Sequence, residues 1–170
     1  KTFTFFTFLF VSLLVLAQNP CPQVIPALQQ WTGGKGTLTL PAQGSIVINT
    51  ADKDVLYDAA TILAQDLKEL LGWEYAIRIG KVKNNEIYLS LSKPDEQLGE
   101  EGYVLRIANR VNVEAPTAKG VFWGTRTLLQ MLYHQKAKLA KGTTRDWPEF
   151  PNRGFMLDVG RKFFTLDYLK

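Results

Sequence analysis

The sequence has few of the residues that build metal or redox sites. Among its 170 residues there is one cysteine, Cys21, and one histidine, His134. A single cysteine excludes an internal disulfide, and a single histidine cannot build a zinc site. The glycines at 33, 34 and 36 lack the spacing and the hydroxyl residue of a phosphate-binding loop. We therefore expect neither a metal nor a cofactor.

The sequence also lacks a strong charge of one sign. The formal net charge is +4, and the basic residues are scattered without a continuous stripe. This distribution is typical of solvated surface and argues against nucleic acid as a partner. Apolar residues make up 46% and charged residues 21% of the chain, as in ordinary globular proteins. A chain of this length can bury a core and suits one domain with appendages.

The longest apolar run is shorter than the roughly 20 residues that a membrane-spanning helix needs. Lys1 is followed by an apolar run at residues 3–16 that only Thr and Ser interrupt. Val15 and Ala17 then supply the small residues of a cleavage site. This pattern predicts a signal peptide over residues 1–17 and a secreted or periplasmic protein with no stable membrane span after cleavage. A lipoprotein attached at Cys21 is a weaker alternative, because Gln18-Asn19-Pro20 does not resemble a lipobox. The chain starts at Lys1 rather than Met, so we also expect it to be truncated at this end.

Residues 18–141 are predicted to form a small α+β domain. Apolar residues recur at three- and four-residue spacing from Val55 to Leu71, which predicts a helix that Gly72 ends and that Asp52 or Asp54 caps. A second helix is predicted from Thr117 as its cap, with His134 near its end and with Gly120 and Gly124 allowing close approach to a sheet. Short β-rich runs are predicted as strands at residues 36–40, 45–49, 75–79, 86–91, 102–107 and 110–115. Trp31 and the glycines at 33 and 34 suggest a turn before the first strand. The order of elements predicts one sheet with both helices on one face.

The last part of the chain is predicted to begin a second domain. Pro148 and Pro151 favour an extended linker, residues 142–152, with the boundary near residues 141–145. Residues 154–159 then read as a buried strand, and Thr165 as the cap of a following helix. Strand, polar loop and helix are the opening of a βα unit, and no parallel sheet can close on one strand. Residues 153–170 are therefore interpreted as the truncated start of a second domain.

Two charged residues, Asp158 and Arg161, follow the predicted strand, where α/β barrels keep their chemistry. Arginine offers a planar fork of five donors that suits hydroxyl recognition, and an aspartate three residues earlier can hold its rotamer. Taken from the residues alone, an ordinary ion pair at a strand end is the alternative interpretation.

The run Arg153-Gly-Phe-Met-Leu-Asp-Val-Gly-Arg-Lys-Phe-Phe164 resembles the first barrel strand of family 20 glycoside hydrolases, the β-N-acetylhexosaminidases. The preceding residues 146–151 resemble that family's linker, although Glu149 stands where the family often has Arg, and residues 118–130 are similar to a helix of its small domain. The resemblance implies that residues 153–170 are the truncated start of a catalytic (β/α)8 barrel. It further implies that Arg161 binds hydroxyls of a terminal N-acetylhexosamine and that Asp158 supports Arg161. It also implies substrate-assisted exo-hydrolysis of N-acetylhexosamine-containing glycans, in which an Asp-Glu pair on a later barrel strand assists.

That catalytic pair is absent from the chain, so the resemblance implies that the fragment is inactive by itself. Asp95-Glu96 is an adjacent Asp-Glu, but it lies in a predicted turn and is interpreted as structural. Isolated tryptophans such as Trp73 and Trp123 are more typical of packing than of sugar stacking. Two alternatives stay open: a non-catalytic α+β module that binds glycan or a partner, and the small domain of an α-glucuronidase-like or family 84-like glycosidase. The pair Asp158 and Arg161 argues against the α-glucuronidase.

Overall fold

A computed structural model describes residues 18–135, 137–160 and 162–169. It contains a seven-stranded mixed sheet in the order β1-β7-β5-β6-β4-β2-β3. Strands β1, β7, β5 and β6 pair antiparallel, and β6, β4, β2 and β3 pair parallel. The predicted α+β class is confirmed. The predicted signal peptide, residues 1–17, lies outside the described residues.

The elements in chain order are β1 (Gln30–Thr39), β2 (Gln43–Ile48), a 3-10 turn (Thr50–Asp52), α1 (Lys53–Leu71), β3 (Glu74–Ile79), β4 (Ile87–Leu91), β5 (Tyr103–Ile107), β6 (Val111–Ala115), α2 (Ala118–Gln135), β7 (Lys138–Asp146) and α3 (Leu166–Leu169). Within the described residues, no helix is long and apolar enough to cross a membrane.

Helix α1 ends as its sequence predicts. Gly72 adopts a left-handed conformation (φ 68°), and its N–H group donates to carbonyls at the end of the helix. The start of the helix differs from the prediction, because the Asp52 side chain makes no cap hydrogen bond. Its carboxylate instead accepts from the Leu91 backbone N–H at 2.9 Å and from the Asn49 side chain at 2.9 Å. Asp52 therefore ties the start of α1 to the end of β4.

Helix α2 lies unusually close to the sheet, as its glycines predict. A Cβ atom on Gly120 would lie 2.3 Å from the Gly102 carbonyl oxygen, and one on Gly124 would lie 2.5 Å from a Val113 methyl carbon. The predicted cap is also present, since the Thr117 hydroxyl accepts from the Gly120 N–H at 3.0 Å. The glycines thus set the distance between α2 and the strands beneath it.

Both helices pack on the same face of the sheet, as predicted. They contact each other as well as the strands, and an Arg126–Asp66 ion pair joins them. Alternate strand residues facing the helices are buried and belong to one core: Ile46, Ile48, Ile87, Leu89, Leu105, Ile107, Val111 and Val113. The intervening positions on the opposite face are more polar, and include the exposed Arg106 and Glu114. One face of the sheet therefore supplies the core.

Two predicted boundaries of the sheet were wrong. The first strand begins at Gln30 rather than Gly36, so the glycines at 33 and 34 lie inside β1 at a break in its register with β7. The N-terminal segment passes so close that a Cβ on Gly33 would lie 2.1 Å from the Asn19 carbonyl oxygen. At the other end, β7 continues to Asp146 and pairs with both β1 and β5. Residues 142–146 are therefore sheet, not linker.

The strand predicted at residues 154–159 is not formed. These residues have no regular secondary structure, and Phe155 and Met156 are 85% and 92% exposed. A strand needs a hydrogen-bonding neighbour and a surface to cover its apolar side chains, and the described residues provide neither here. The predicted cap at Thr165 is present, because its hydroxyl accepts from the Tyr168 N–H at 3.3 Å at the start of the single turn α3.

Candidate functional site

The exit from the sheet is held by an arginine–aspartate pair. The Arg145 Nη2 atom lies 2.6 and 2.7 Å from the two carboxylate oxygens of Asp95. Asp95 also accepts from the backbone N–H groups of Gln97 and Leu98. The hydrogen bond from Arg145, followed by the one from the Leu98 N–H, lowers the pKa of Asp95. Asp95 is thus fully engaged in holding a turn, which agrees with the structural interpretation of Asp95-Glu96.

A second arginine–carboxylate contact follows. Glu101 forms ion pairs with Arg153 and with Lys119 of α2, the latter at 2.7 Å. The guanidinium of Arg153 also donates to the Phe150 carbonyl at 2.8 Å and lies 5.9 Å from the centre of the Trp123 ring. Hydrogen bonds from Lys119 and then from Arg153 lower the pKa of Glu101. These contacts fix the chain where it leaves the sheet domain.

Of the two residues predicted to bind sugar, the structure describes only Asp158. Asp158 is exposed, and its carboxylate accepts from the Gly160 N–H at 2.8 Å, a local turn contact. Arg161 lies outside the described residues. The neighbouring Lys162 ammonium lies 5.6 Å from the centre of the Phe164 ring. The roles of Asp158 and Arg161 therefore stay predictions.

A buried polar network links the two layers of the domain. The Tyr103 hydroxyl lies 2.6 Å from the Thr127 hydroxyl and donates to the Asp146 carboxylate at 2.7 Å. The other Asp146 oxygen accepts from the Gln29 backbone N–H at 2.8 Å. Burial raises the pKa of Tyr103, so the phenol is neutral and serves as a fixed donor. The network joins β5, α2 and β7 and has a structural role.

The remaining singled-out residues also have structural environments. The Trp31 indole donates to the Asn19 carbonyl at 3.1 Å, and Trp73 stacks against Tyr75 with ring centres 6.1 Å apart. His134 lies in the last turn of α2, where it was predicted. Among the residues that the structure describes, no group of three or more His, Cys, Asp or Glu side chains is arranged to hold a metal ion.

The sequence interpretation missed two residues, Glu101 and Arg153, as a connected pair. Glu101 reads as part of a solvated turn, and Arg153 as the first residue of a motif, so nothing in their spacing predicts contact. In the structure, the N–H of Gly102, which follows Glu101 directly, donates to the Leu98 carbonyl at 2.8 Å. This closes the turn that presents Glu101 to Arg153.

Comparison with known proteins gives one matching family and several named relatives. Residues 21–147 match the family description "Glycosyl hydrolase family 20, domain 2". Over 150 residues the chain is 32% identical to a lacto-N-biosidase of Bifidobacterium bifidum, covering 87% of this chain and 13% of that protein. Over 158 residues it is 31% identical to a beta-hexosaminidase of Porphyromonas gingivalis, covering 86% and 20%. The chain therefore spans a fifth or less of the length of these two relatives.

A solved structure agrees with both sequence matches. A variant of the Streptomyces plicatus beta-hexosaminidase in complex with its product GlcNAc superimposes with a TM-score of 0.68 at 26% identity, covering 89% of this chain and 31% of that one. The family match over residues 21–147 spans the sheet and the two long helices described above. From the family match over residues 21–147 and these similarities, the chain belongs to glycosyl hydrolase family 20.

Proposed function

We propose that this chain is the N-terminal part of an exported exo-β-N-acetylhexosaminidase, which removes terminal N-acetylhexosamine from glycans by substrate-assisted hydrolysis. The observation that carries the proposal is the 31% identity to a beta-hexosaminidase over 158 residues. The apolar run at residues 3–16 motivates the export.

In the proposed enzyme, residues 18–146 are a supporting domain and the chemistry belongs to the domain that starts near Arg153. Residues 154–169 expose Phe155, Met156 and Phe163 to solvent by 80% or more. Such a run of exposed apolar side chains is expected of a segment that is buried in a larger fold. The first βα unit of a barrel is the fold that the motif predicts for it.

Within that unit, Arg161 binds hydroxyls of the terminal sugar and Asp158 holds the Arg161 side chain in place. The arginine fork can donate two parallel hydrogen bonds to neighbouring oxygens, which a lysine cannot do. The one adjacent Asp-Glu pair in the sequence, Asp95-Glu96, lies in the sheet domain, where Arg145 engages Asp95. The 170-residue chain alone is therefore inactive in this proposal.

The proposal is tested by assaying the full-length protein on an aryl N-acetyl-β-glucosaminide and measuring release of the phenol. We expect hydrolysis by the full-length protein and none by the 170-residue chain at the same molar concentration. A folded full-length protein that releases no phenol would refute the proposed activity, and release by the short chain would refute the assignment of chemistry to the missing part.

A lacto-N-biosidase activity is the second candidate, because a protein of that name is 32% identical over 150 residues. The same assay with the aryl glycoside of lacto-N-biose separates the two activities. A higher kcat/KM for the disaccharide glycoside than for the monosaccharide glycoside would favour the second candidate.

A further inference from the structure

The loop between β4 and β5, residues 92–102, contacts the chain on both sides of the point where it leaves the sheet. At one end of the loop, Asp95 pairs with Arg145 near the end of β7. At the other end, Glu101 pairs with Arg153. The loop and the exit segment, defined as residues 147–153, line a common cleft that includes Trp147, Pro148 and Pro151. One loop therefore holds the exit segment at its start and at its end.

The loop itself is firmly attached to the domain. Leu98 is buried, with 3% of its surface exposed. The Glu100 carbonyl accepts from the hydroxyl of Thr117, the cap residue of α2. Hydrogen bonds from Gly99 N–H to the Asp95 carbonyl (2.9 Å) and from Gly102 N–H to the Leu98 carbonyl (2.8 Å) close its turns. Asp95 and Glu101 are therefore presented from a fixed base.

The Arg153 contacts are well suited to fix the direction in which the exit segment leaves the sheet domain. The guanidinium plane reaches Glu101 on the loop, Phe150 within the exit segment and Trp123 on α2. A planar group with fixed donors that meets partners on separate elements loses rotational freedom more completely than one held by a single partner. Lys119 holds the same Glu101 carboxylate from the other side, at 2.7 Å. The side chain of Glu101 is 13% exposed and that of Arg153 is 45% exposed.

We propose that Glu101 is a positioning residue: by holding Arg153, it fixes the path of the segment that carries Asp158 and Arg161 relative to the sheet domain. This inference rests on the proposed function for its catalytic consequence. The structural part of the inference concerns only the path of the exit segment, and its test does not depend on the proposed function.

The structural part is tested on the 170-residue chain with two spin labels. The first label is attached to Cys21, which is the sole cysteine and is exposed. Asn19, two residues earlier, holds this segment because its side-chain amide donates to the Gly36 and Lys141 carbonyls. A second label is attached after Asn152→Cys, and the distribution of distances between the labels is measured by pulsed electron paramagnetic resonance. We expect a narrow distribution, which broadens in Glu101→Ala and Arg153→Ala.

The matched control is Glu100→Ala, because the contact of Glu100 with Thr117 is made by the backbone carbonyl, which alanine retains. It should leave the distribution narrow. The double variant Glu101→Ala with Arg153→Ala should be no broader than either single variant, as expected for two residues that act through one contact. Thermal unfolding confirms that each variant is folded. An unchanged width in Glu101→Ala, or equal broadening in Glu100→Ala, would overturn the proposal.

The catalytic part is tested in the full-length protein. A partly exposed ion pair contributes modestly, so Glu101→Ala should raise KM about two- to fivefold with a smaller change in kcat. A residue that only stabilised the sheet domain would lower the unfolding temperature and leave KM unchanged, and that result would refute the positioning role. If the wild-type protein hydrolyses no N-acetylhexosaminide, the proposed function fails while the spin-label result still decides the structural part.

Discussion

The close approach of α2 to the sheet makes Gly120 a sensitive position to test. A Cβ atom there would lie 2.3 Å from the Gly102 carbonyl oxygen and 2.8 Å from the Ala115 Cβ atom. Both neighbours belong to the backbone or are attached directly to it, so neither can rotate away. Gly120→Ala therefore requires α2 or the start of β5 to shift. Overpacking of this kind costs about 1–3 kcal/mol, and the shortness of the contact places the cost near the upper value.

Alanine also favours the helix over glycine by about 1 kcal/mol, so we expect a net loss of roughly 2 kcal/mol in the free energy of unfolding. For a domain of this size, that corresponds to a fall in Tm of roughly 5 °C or more. Thermal unfolding of the 170-residue chain, followed by circular dichroism, measures the change. The control is Gly154→Ala, where an added Cβ meets nothing within 4 Å. An unchanged or raised Tm in Gly120→Ala would refute the reasoning, because the helix preference would then exceed the cost of the contact.

Two further predictions concern hydrogen bonds and charges. Tyr103→Phe removes the hydroxyl that contacts the buried Thr127 and the half-buried Asp146, and it should lower the free energy of unfolding by about 1–3 kcal/mol. Tyr133→Phe, at a side chain 61% exposed, should change it by less than about 0.5 kcal/mol, and equal effects would contradict the network. The pKa values of Asp95 and Glu101 are lowered in the folded chain, so their stabilising contribution is complete above the ordinary carboxyl pKa values of about 4 and is lost as the pH falls through the lower folded values. Urea unfolding at pH 7, 5 and 3 should give similar stability at the first two and less at the third, and greater stability at pH 3 would contradict the assigned directions.

The local features of the sheet domain were predictable because they depend on neighbouring residues. The Gly72 end of α1, the Thr117 cap of α2 and the sheet contacts of Gly120 and Gly124 all follow from backbone geometry that few residues allow. The strand order was not predictable in the same way. The pairing of β7 between β1 and β5 joins residues far apart in sequence, and short-range patterns carry no information on it.

The errors have a common physical cause. The break in β1 at Gly33 depends on the N-terminal segment that passes over it. Asp52 does not cap α1, because its carboxylate accepts a hydrogen bond from the Leu91 N–H instead. The apolar run at residues 154–159 has the composition of a strand, but no described strand pairs with it. In each case, contacts with distant parts of the chain decide the local structure. The candidate site was predicted only through the motif that carries Asp158 and Arg161, and their roles stay predictions.

The measurement that tests the central claim most directly is the hydrolysis of an aryl N-acetyl-β-glucosaminide by the full-length protein carrying Arg161→Lys. Lysine keeps the charge but loses the planar fork, and each lost charge-assisted hydrogen bond is worth about 1.5–3 kcal/mol. We expect kcat/KM to fall roughly tenfold to hundredfold, part of it through KM, with a smaller loss in Asp158→Asn and little change in the control Lys162→Arg. A folded Arg161→Lys protein whose kcat/KM is within about twofold of the wild-type value would contradict the assignment of Arg161 to the sugar site. That result would favour the ordinary ion pair between Asp158 and Arg161.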